Sequence, residues 1–165
     1  MSSVVTIGVY GFDGASFIER LQNAGVRSLV DVRQRRGVRG PAYAWANSRR
    51  LQDALARVGI GYEHARHLAP TTELRHLQYA ADDRLGVGKR SRAELDPEYV
   101  SRYTAEILDT ADLAPIVDAL RVNDLTALLC VERDPEACHR SLIAERLRAA
   151  YGIQTSHLLP GVPGG

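Results

Sequence analysis

The 165 residues carry 21 basic and 20 acidic side chains for a formal charge of +1, and 45% of them are hydrophobic. That length and apolar content suit one domain with its own core. The even charge balance excludes a surface coated in basic residues for bulk nucleic-acid binding. No stretch approaches the roughly 20 apolar residues of a membrane span, and the start lacks the basic-then-apolar pattern of a secretory signal. Two cysteines, Cys130 and Cys138, supply neither a disulfide framework nor a CxxC pair, so a reducing cytoplasm is the expected setting.

In chain order, Val4 to Gly8 is a β-branched run closed by glycine and predicts a first strand. Phe17, Ile18, Leu21 and Ala24 have helical spacing from Asp13 onward, and Gly25 ends that helix. Val26 to Val32 predicts a second strand, with an apolar centre suited to burial on both faces of a parallel sheet. After an Arg- and Gly-rich loop, Ser48 reads as the N-cap of a helix through Leu51, Leu55 and Val58. Ile60 to His64 is a short third strand. Residues 66–95 read as a long irregular insertion with one helix around Glu73 to Ala81, and such insertions are usually functional or mobile. Asp96-Pro97-Glu98 is a helix start, running to about Asp109, and Leu113 to Arg121 predicts another helix. Leu125 to Val131 is the strongest strand signal. Asp134-Pro135-Glu136 repeats the helix-start grammar for a helix to Tyr151, with Ile153 to Leu159 as a last strand. The alternation predicts a three-layer α/β fold, a mainly parallel central sheet with helices on both faces, over residues 1–160, with a flexible tail at 161–165.

In such sheets ligands bind beyond the carboxyl ends of the strands. Tyr10, the Asp31-Val32-Arg33 segment, Glu63-His64 and Cys130-Val131-Glu132 all fall there. With Asp134 as N-cap, Cys138, His139 and Arg140 occupy the first turn and a half of the last helix, where free amides favour an anion and lower a thiol pKa. Arg140 shares a stripe with Ala144, Leu147 and Tyr151, the face that meets the sheet. A buried guanidinium there calls for an anion, either Asp31, Glu132 or a ligand. Cys138 reads as a nucleophile or a small core residue, Cys130 as core, and His139 as an acid–base group or a satisfied buried histidine. His64, His67, Cys130, Cys138 and His139 show no recognised ligand spacing, so no metal site is expected.

Asp31 lies in a strand otherwise made of Val and Leu, so it needs a partner: Arg33, Arg140, His139 or a substrate hydroxyl. Arg33, Arg36 and Arg39 could clamp an anion, with Tyr43 and Trp45 behind them to stack on a base. Thr71 to Arg75 reads as a capped helix start.

Four fragments carry a resemblance: Thr6-Ile7-Gly8; Gly25-Val26 into Leu29-Val30-Asp31-Val32-Arg33; Gly59 to His64; and Leu128 to Glu132 with Cys138-His139-Arg140. In order and spacing they resemble the domain of unknown function 488 family. Thr72-Glu73-Leu74-Arg75 is similar to an element of a shorter branch, which adds Arg75 to the candidate ligand-binding residues. This chain has Val9-Tyr10 where the family usually has a small polar pair, and Gly37-Val38-Arg39 where it usually has proline then Ser-Arg. Rhodanese-type sulfurtransferases share an Asp-Val-Arg strand end. Cysteine phosphatases need Cys-x5-Arg, but the sixth residues after Cys130 and Cys138 are Glu136 and Ala144.

The resulting expectation is an enzyme, or enzyme-like domain, for an anionic small molecule such as a nucleotide or a nucleic-acid end. Arg33, Arg39, Arg75 and Arg140 would anchor the anion, and Tyr10 or Trp45 would pack on its organic part. Asp31, Glu132 and His139 are the acid–base candidates and Cys138 the nucleophile. The alternatives are a non-catalytic binding or regulatory module, and cysteine-based sulfur transfer or redox sensing. No cofactor or oligomeric state follows from the sequence.

Overall fold

The computed structural model describes residues 3–88, 90–122 and 125–161. Its frame is one parallel sheet of β1 (Ser3–Ile7), β2 (Ser28–Asp31), β3 (Gly61–His64), β4 (Thr126–Leu129) and β5 (Gln154–Leu158). The spatial order is β3-β2-β4-β1-β5. Burial follows position in that order. β4, hydrogen-bonded on both sides, is buried throughout, whereas the edge strands β3 and β5 alternate between half-buried and exposed. The continuous apolar runs of the sequence are therefore the three inner strands.

Local chemistry sets the helix ends. Asp13 opens α1 (Gly14–Ala24) with a reciprocal cap: its carboxylate accepts from the Ser16 amide at 2.7 Å, and its own amide donates to Ser16 Oγ at 3.1 Å. Gly25, left-handed at φ 80°, closes the helix. α2 (Ser48–Arg57) begins one residue earlier than expected. Asn47 is its cap position, and Ser48 lies inside the helix with its hydroxyl accepting from Gln52 Nε2 at 2.7 Å. Asp96 caps α4 (Pro97–Glu106) by accepting from the Glu98 and Tyr99 amides. α5 (Ala114–Arg121) and α6 (Arg140–Tyr151) complete the last third of the chain. The chain runs toward β3 first and back toward β5 afterwards, so the right-handed rule for crossovers puts α1 and α2 on one face of the sheet and α5 and α6 on the other.

Two expectations are corrected. The insertion at 66–95 is irregular only in part: a 3-10 turn (Arg66–Leu68) leads into α3 (Thr72–Leu85), 14 residues long, longer than the helix expected there, and capped by Thr71. Its helical stripe is hard to read because the buried face carries Gln78 and Asp82 beside Leu74 and Ala81. The last helix does not start at Asp134. Pro135–Ala137 form a separate 3-10 turn, Cys138 is extended at φ −139° and ψ 144°, and the helix begins only after His139. Of the predicted tail, residues 162–165 lie outside the described residues. Among the described residues no helix is long and apolar enough to cross a membrane.

The strand order also fixes where a ligand can enter. β2 leads on to β3 at one edge, while its neighbour β4 leads across β1 to β5 at the other. The two connections part company, leaving a crevice outside the carboxyl ends of β2 and β4.

Candidate functional site

That crevice is a cleft of about 680 Å³, within the range of small-molecule sites. At its floor the segments after β4 bring Cys130, Cys138 and His139 together. All three are buried and all three face the cleft. Cys130 Sγ stands 3.5 Å from His139 Nδ1 and 3.9 Å from Nε2, and Cys138 Sγ stands 3.9 Å from Nδ1. The ring is held by Nε2 at 2.8 Å from the Val32 carbonyl. A carbonyl only accepts, so Nε2 carries the proton and Nδ1 is left toward the sulfurs when the imidazole is neutral. Tyr103 packs on the ring with centroids 5.4 Å apart, and its hydroxyl donates to the Leu68 carbonyl.

The two thiols differ. Burial raises the Cys138 pKa, but a hydrogen bond from Cys130 and the positive charges of His139 and Arg140 outweigh it and bring the thiol well below its ordinary value. Burial and the neighbouring Cys138 push Cys130 well above. The pair therefore gives up its first proton readily and its second reluctantly. For His139, burial works against protonation, yet its contacts with Cys138 win and leave its pKa raised.

A side wall comes from α3 and the loop behind it. Arg92 is 7% exposed and donates to both Asp82 oxygens, with Nη2 at 2.7 Å from Oδ2. Its other nitrogen reaches Glu132 Oε1 at 3.2 Å and the Ala137 carbonyl at 3.1 Å. Gln78 donates to Asp82 and accepts from the Asp96 amide. The Cys130 thiol lies 3.7 Å from the other Glu132 oxygen. One guanidinium thus ties α3, the turn before α6 and the floor into a single polar cluster, and it compensates two buried carboxylates.

Asp31 and Arg140 brace the cleft from beneath, and neither lines it. Asp31 is fully buried; Arg33 grips it with Nε at 2.9 Å and Nη2 at 2.8 Å, and the Tyr62 hydroxyl donates to it at 2.6 Å. The remaining Arg33 nitrogen donates to the Ala46 carbonyl. For Arg140 the expected carboxylate or ligand anion gives way to backbone. Its guanidinium donates to the Glu132 carbonyl at 2.5 Å, the Arg133 carbonyl at 3.0 Å and Thr6 Oγ1 at 3.3 Å. Carbonyls just beyond the end of β4 satisfy it, with the turn at Pro135–Ala137 between them and Arg140 in the chain.

Of the residues singled out in sequence, Tyr10, Arg33, Arg39, Arg75, Glu132, Cys138 and His139 line the cleft. Trp45 does not: it packs on Phe17 at 4.9 Å and walls a smaller hollow between α1 and α2. Sequence reasoning missed Arg92, Asp82 and Gln78. The one available signal was the pair Gln78 and Asp82, four apart on the face shared with Leu74. It also read Cys130 as core, whereas the residue lines the cleft.

The mouth is basic. Six arginines and a single carboxylate line the cleft, and Arg33, Arg92 and Glu132 are already paired. Arg35, Arg39, Arg75 and Arg90 form no ion pair with a described carboxylate. Arg75 donates to Gln34 and the Tyr79 hydroxyl, and Arg90 lies over the rings of Tyr10 and Tyr43 at 5.0 and 5.2 Å.

Fold and site together define a parallel α/β protein with a basic cleft over a cysteine–histidine floor. The family model described as domain of unknown function DUF488 matches residues 14–147, most of the chain, and the chain belongs to that family. No curated protein and no solved structure matches it.

Proposed function

We propose that this protein is an enzyme acting on an anionic small molecule of nucleotide size, bound in the cleft with its charged group at the mouth and its reacting end over the floor. The observation carrying this reading is the placement of Arg35, Arg39, Arg75 and Arg90, free of ion pairs with described carboxylates, around an entrance whose floor holds Cys130, Cys138 and His139. Guanidinium groups without acidic partners are suited to phosphate or carboxylate. Tyr10 and Tyr43, beneath Arg90, offer a surface for the organic part. His139 is the proton-transfer candidate at the floor. Asp31 and Arg140 act as positioning residues through Arg33 and the β4 end.

The test is thermal shift with orthophosphate, nucleoside monophosphates and dicarboxylates, on the wild type and on Arg39→Ala and Arg75→Ala. Stabilisation by one anion class that the two variants lose supports the reading. Correctly folded wild type that none of the anions stabilises overturns it.

A further inference from the structure

Three soft or borderline donor atoms converge on one point of the cleft floor. The sulfurs of Cys130 and Cys138 and a nitrogen of His139 all lie within 4.8 Å of one another, and all three side chains are buried. Spacing along the chain conceals this group. Cys130 leaves the end of β4, while Cys138 and His139 return only after the Pro135–Ala137 turn has reversed the backbone.

We propose that Cys130, Cys138 and His139 form a three-ligand site for a thiophilic divalent cation, zinc foremost, with its fourth position open to the cleft. Four observations bear on it. First, the donors are two thiols and an imidazole, a set that zinc takes with metal–ligand distances of about 2.0–2.3 Å; tetrahedral geometry then separates sulfur from nitrogen by roughly 3.5 Å. The sulfur–Nδ1 separations here are 3.5 and 3.9 Å, so a cation draws together a collar that is already narrow. Second, Nε2 is committed to the Val32 carbonyl, the outer contact that orients a ligating histidine and leaves Nδ1 for the metal.

Third, charge balances. Two thiolates and a neutral imidazole offset a divalent cation in a buried place. The nearest guanidiniums are occupied, Arg140 by carbonyls and a hydroxyl, Arg92 chiefly by Asp82 and Glu132. Binding expels whatever thiol protons remain, with no redox change at sulfur or metal. Fourth, all three ligands line the cleft, so the position left over faces the space where a substrate would enter. A closed four-ligand site would be structural; an open one supplies a Lewis acid to a bound anion. The open position rests on the anion reading for its substrate, whereas the ligand set does not; with the cation bound, His139 serves as a ligand and not as a proton carrier.

The experiment uses the full chain, reduced and stripped with a chelator, then titrated with cobalt chloride and separately with zinc chloride. The expected result is a thiolate-to-cobalt charge-transfer band saturating near one equivalent. Zinc should displace that band and shield both cysteines from a thiol reagent. Cys130→Ser, Cys138→Ser and His139→Gln should each weaken binding beyond the roughly 10–100-fold loss caused by disturbing an outer-shell partner. Absence of the band with both thiols reactive under excess zinc overturns the proposal, as does zinc binding of undiminished affinity in the Cys130→Ser/Cys138→Ser double variant. Thiol protection in the wild type decides the matter even where a variant fails to fold. The orthophosphate thermal shift is read on the stripped protein, so failure of the metal site leaves the anion result standing.

Discussion

Arg92 and Asp82 meet as a buried fork, with Nη2 at 2.7 Å from Oδ2 and Nε at 3.0 Å from both oxygens. The pair is the hinge between the insertion and the sheet, because the far side of the same guanidinium holds Glu132 and the Ala137 carbonyl. Asp82→Ala leaves that guanidinium with one carboxylate, Glu132, in place of two. The expected cost is about 3–5 kcal/mol of stability, as for breaking a buried ion pair. Urea melts followed by circular dichroism measure it. A loss under about 1 kcal/mol, the level of exposed pairs, would mean that the wall is not anchored this way.

Beneath the cleft, Asp31 accepts from Arg33 and Tyr62. Tyr62→Phe removes the hydrogen bond to the Asp31 carboxylate, together with the longer one from Arg36 at 3.4 Å, and should cost about 1.5–3 kcal/mol. Asp31→Ala should cost more, because it leaves Arg33 buried with only the Ala46 carbonyl. The ordering of the two variants in the same melt is the check; equal losses would show that Arg33 finds other compensation.

Gly8 ends the path of β1 against the loop after β4. A Cβ placed there would fall on the Glu132 carbonyl and within 3.2 Å of Arg140 Nη1. The obstruction is backbone, so no rotamer change relieves it. Gly8→Ala is expected to exceed the about 1–3 kcal/mol of ordinary overpacking and to loosen the floor. The readouts are the melting temperature and the reactivity of Cys138 toward a thiol reagent.

His157 supplies a pH dependence with a definite sign. Its Nδ1 is 2.6 Å from Thr6 Oγ1, and burial, then the charge of Arg140, lower its pKa below 6.5, against a smaller opposing effect from Glu136. The folded state therefore binds this proton less readily than the unfolded chain. Its contribution to stability is complete above the unfolded value and is lost as pH falls through the lower folded one. His157→Gln should flatten the wild-type decline that sets in as pH falls below about 6.5. Identical slopes for the two proteins would contradict the assignment.

Much of the frame was legible because local rules and the global fold agree. Leu125 to Val131 is apolar in all but Thr126 because β4 is hydrogen-bonded on both sides, and Asp96-Pro97 and Gly25 cap helices by their own backbone chemistry. The site was legible in place and not in detail. Glu132 was identifiable as a polar group at a strand end and Cys138 and His139 as the start of the last helix, and all three line the cleft, whereas Asp31 lies beneath it. Nothing in the sequence tells a guanidinium held by a carboxylate from one held by carbonyls, which is the difference between Arg33 and Arg140. α3 was cut short in prediction because Gln78 and Asp82 interrupt its apolar stripe, and they interrupt it to hold Arg92 and the Asp96 loop.

The order of the strands bears on how the molecule is made. β1 and β2 do not pair with each other; β4 lies between them and hydrogen-bonds to both. During synthesis the first two strands must therefore wait through roughly a hundred further residues before their shared neighbour emerges. Until then two apolar ladders stand open, and direct pairing between them would be a trap. Closing the sheet by late insertion of its middle strand spans long sequence separations, which favours slow folding. The residues that build the floor of the cleft arrive on the same segment, so its completion and the closing of the sheet belong to one event.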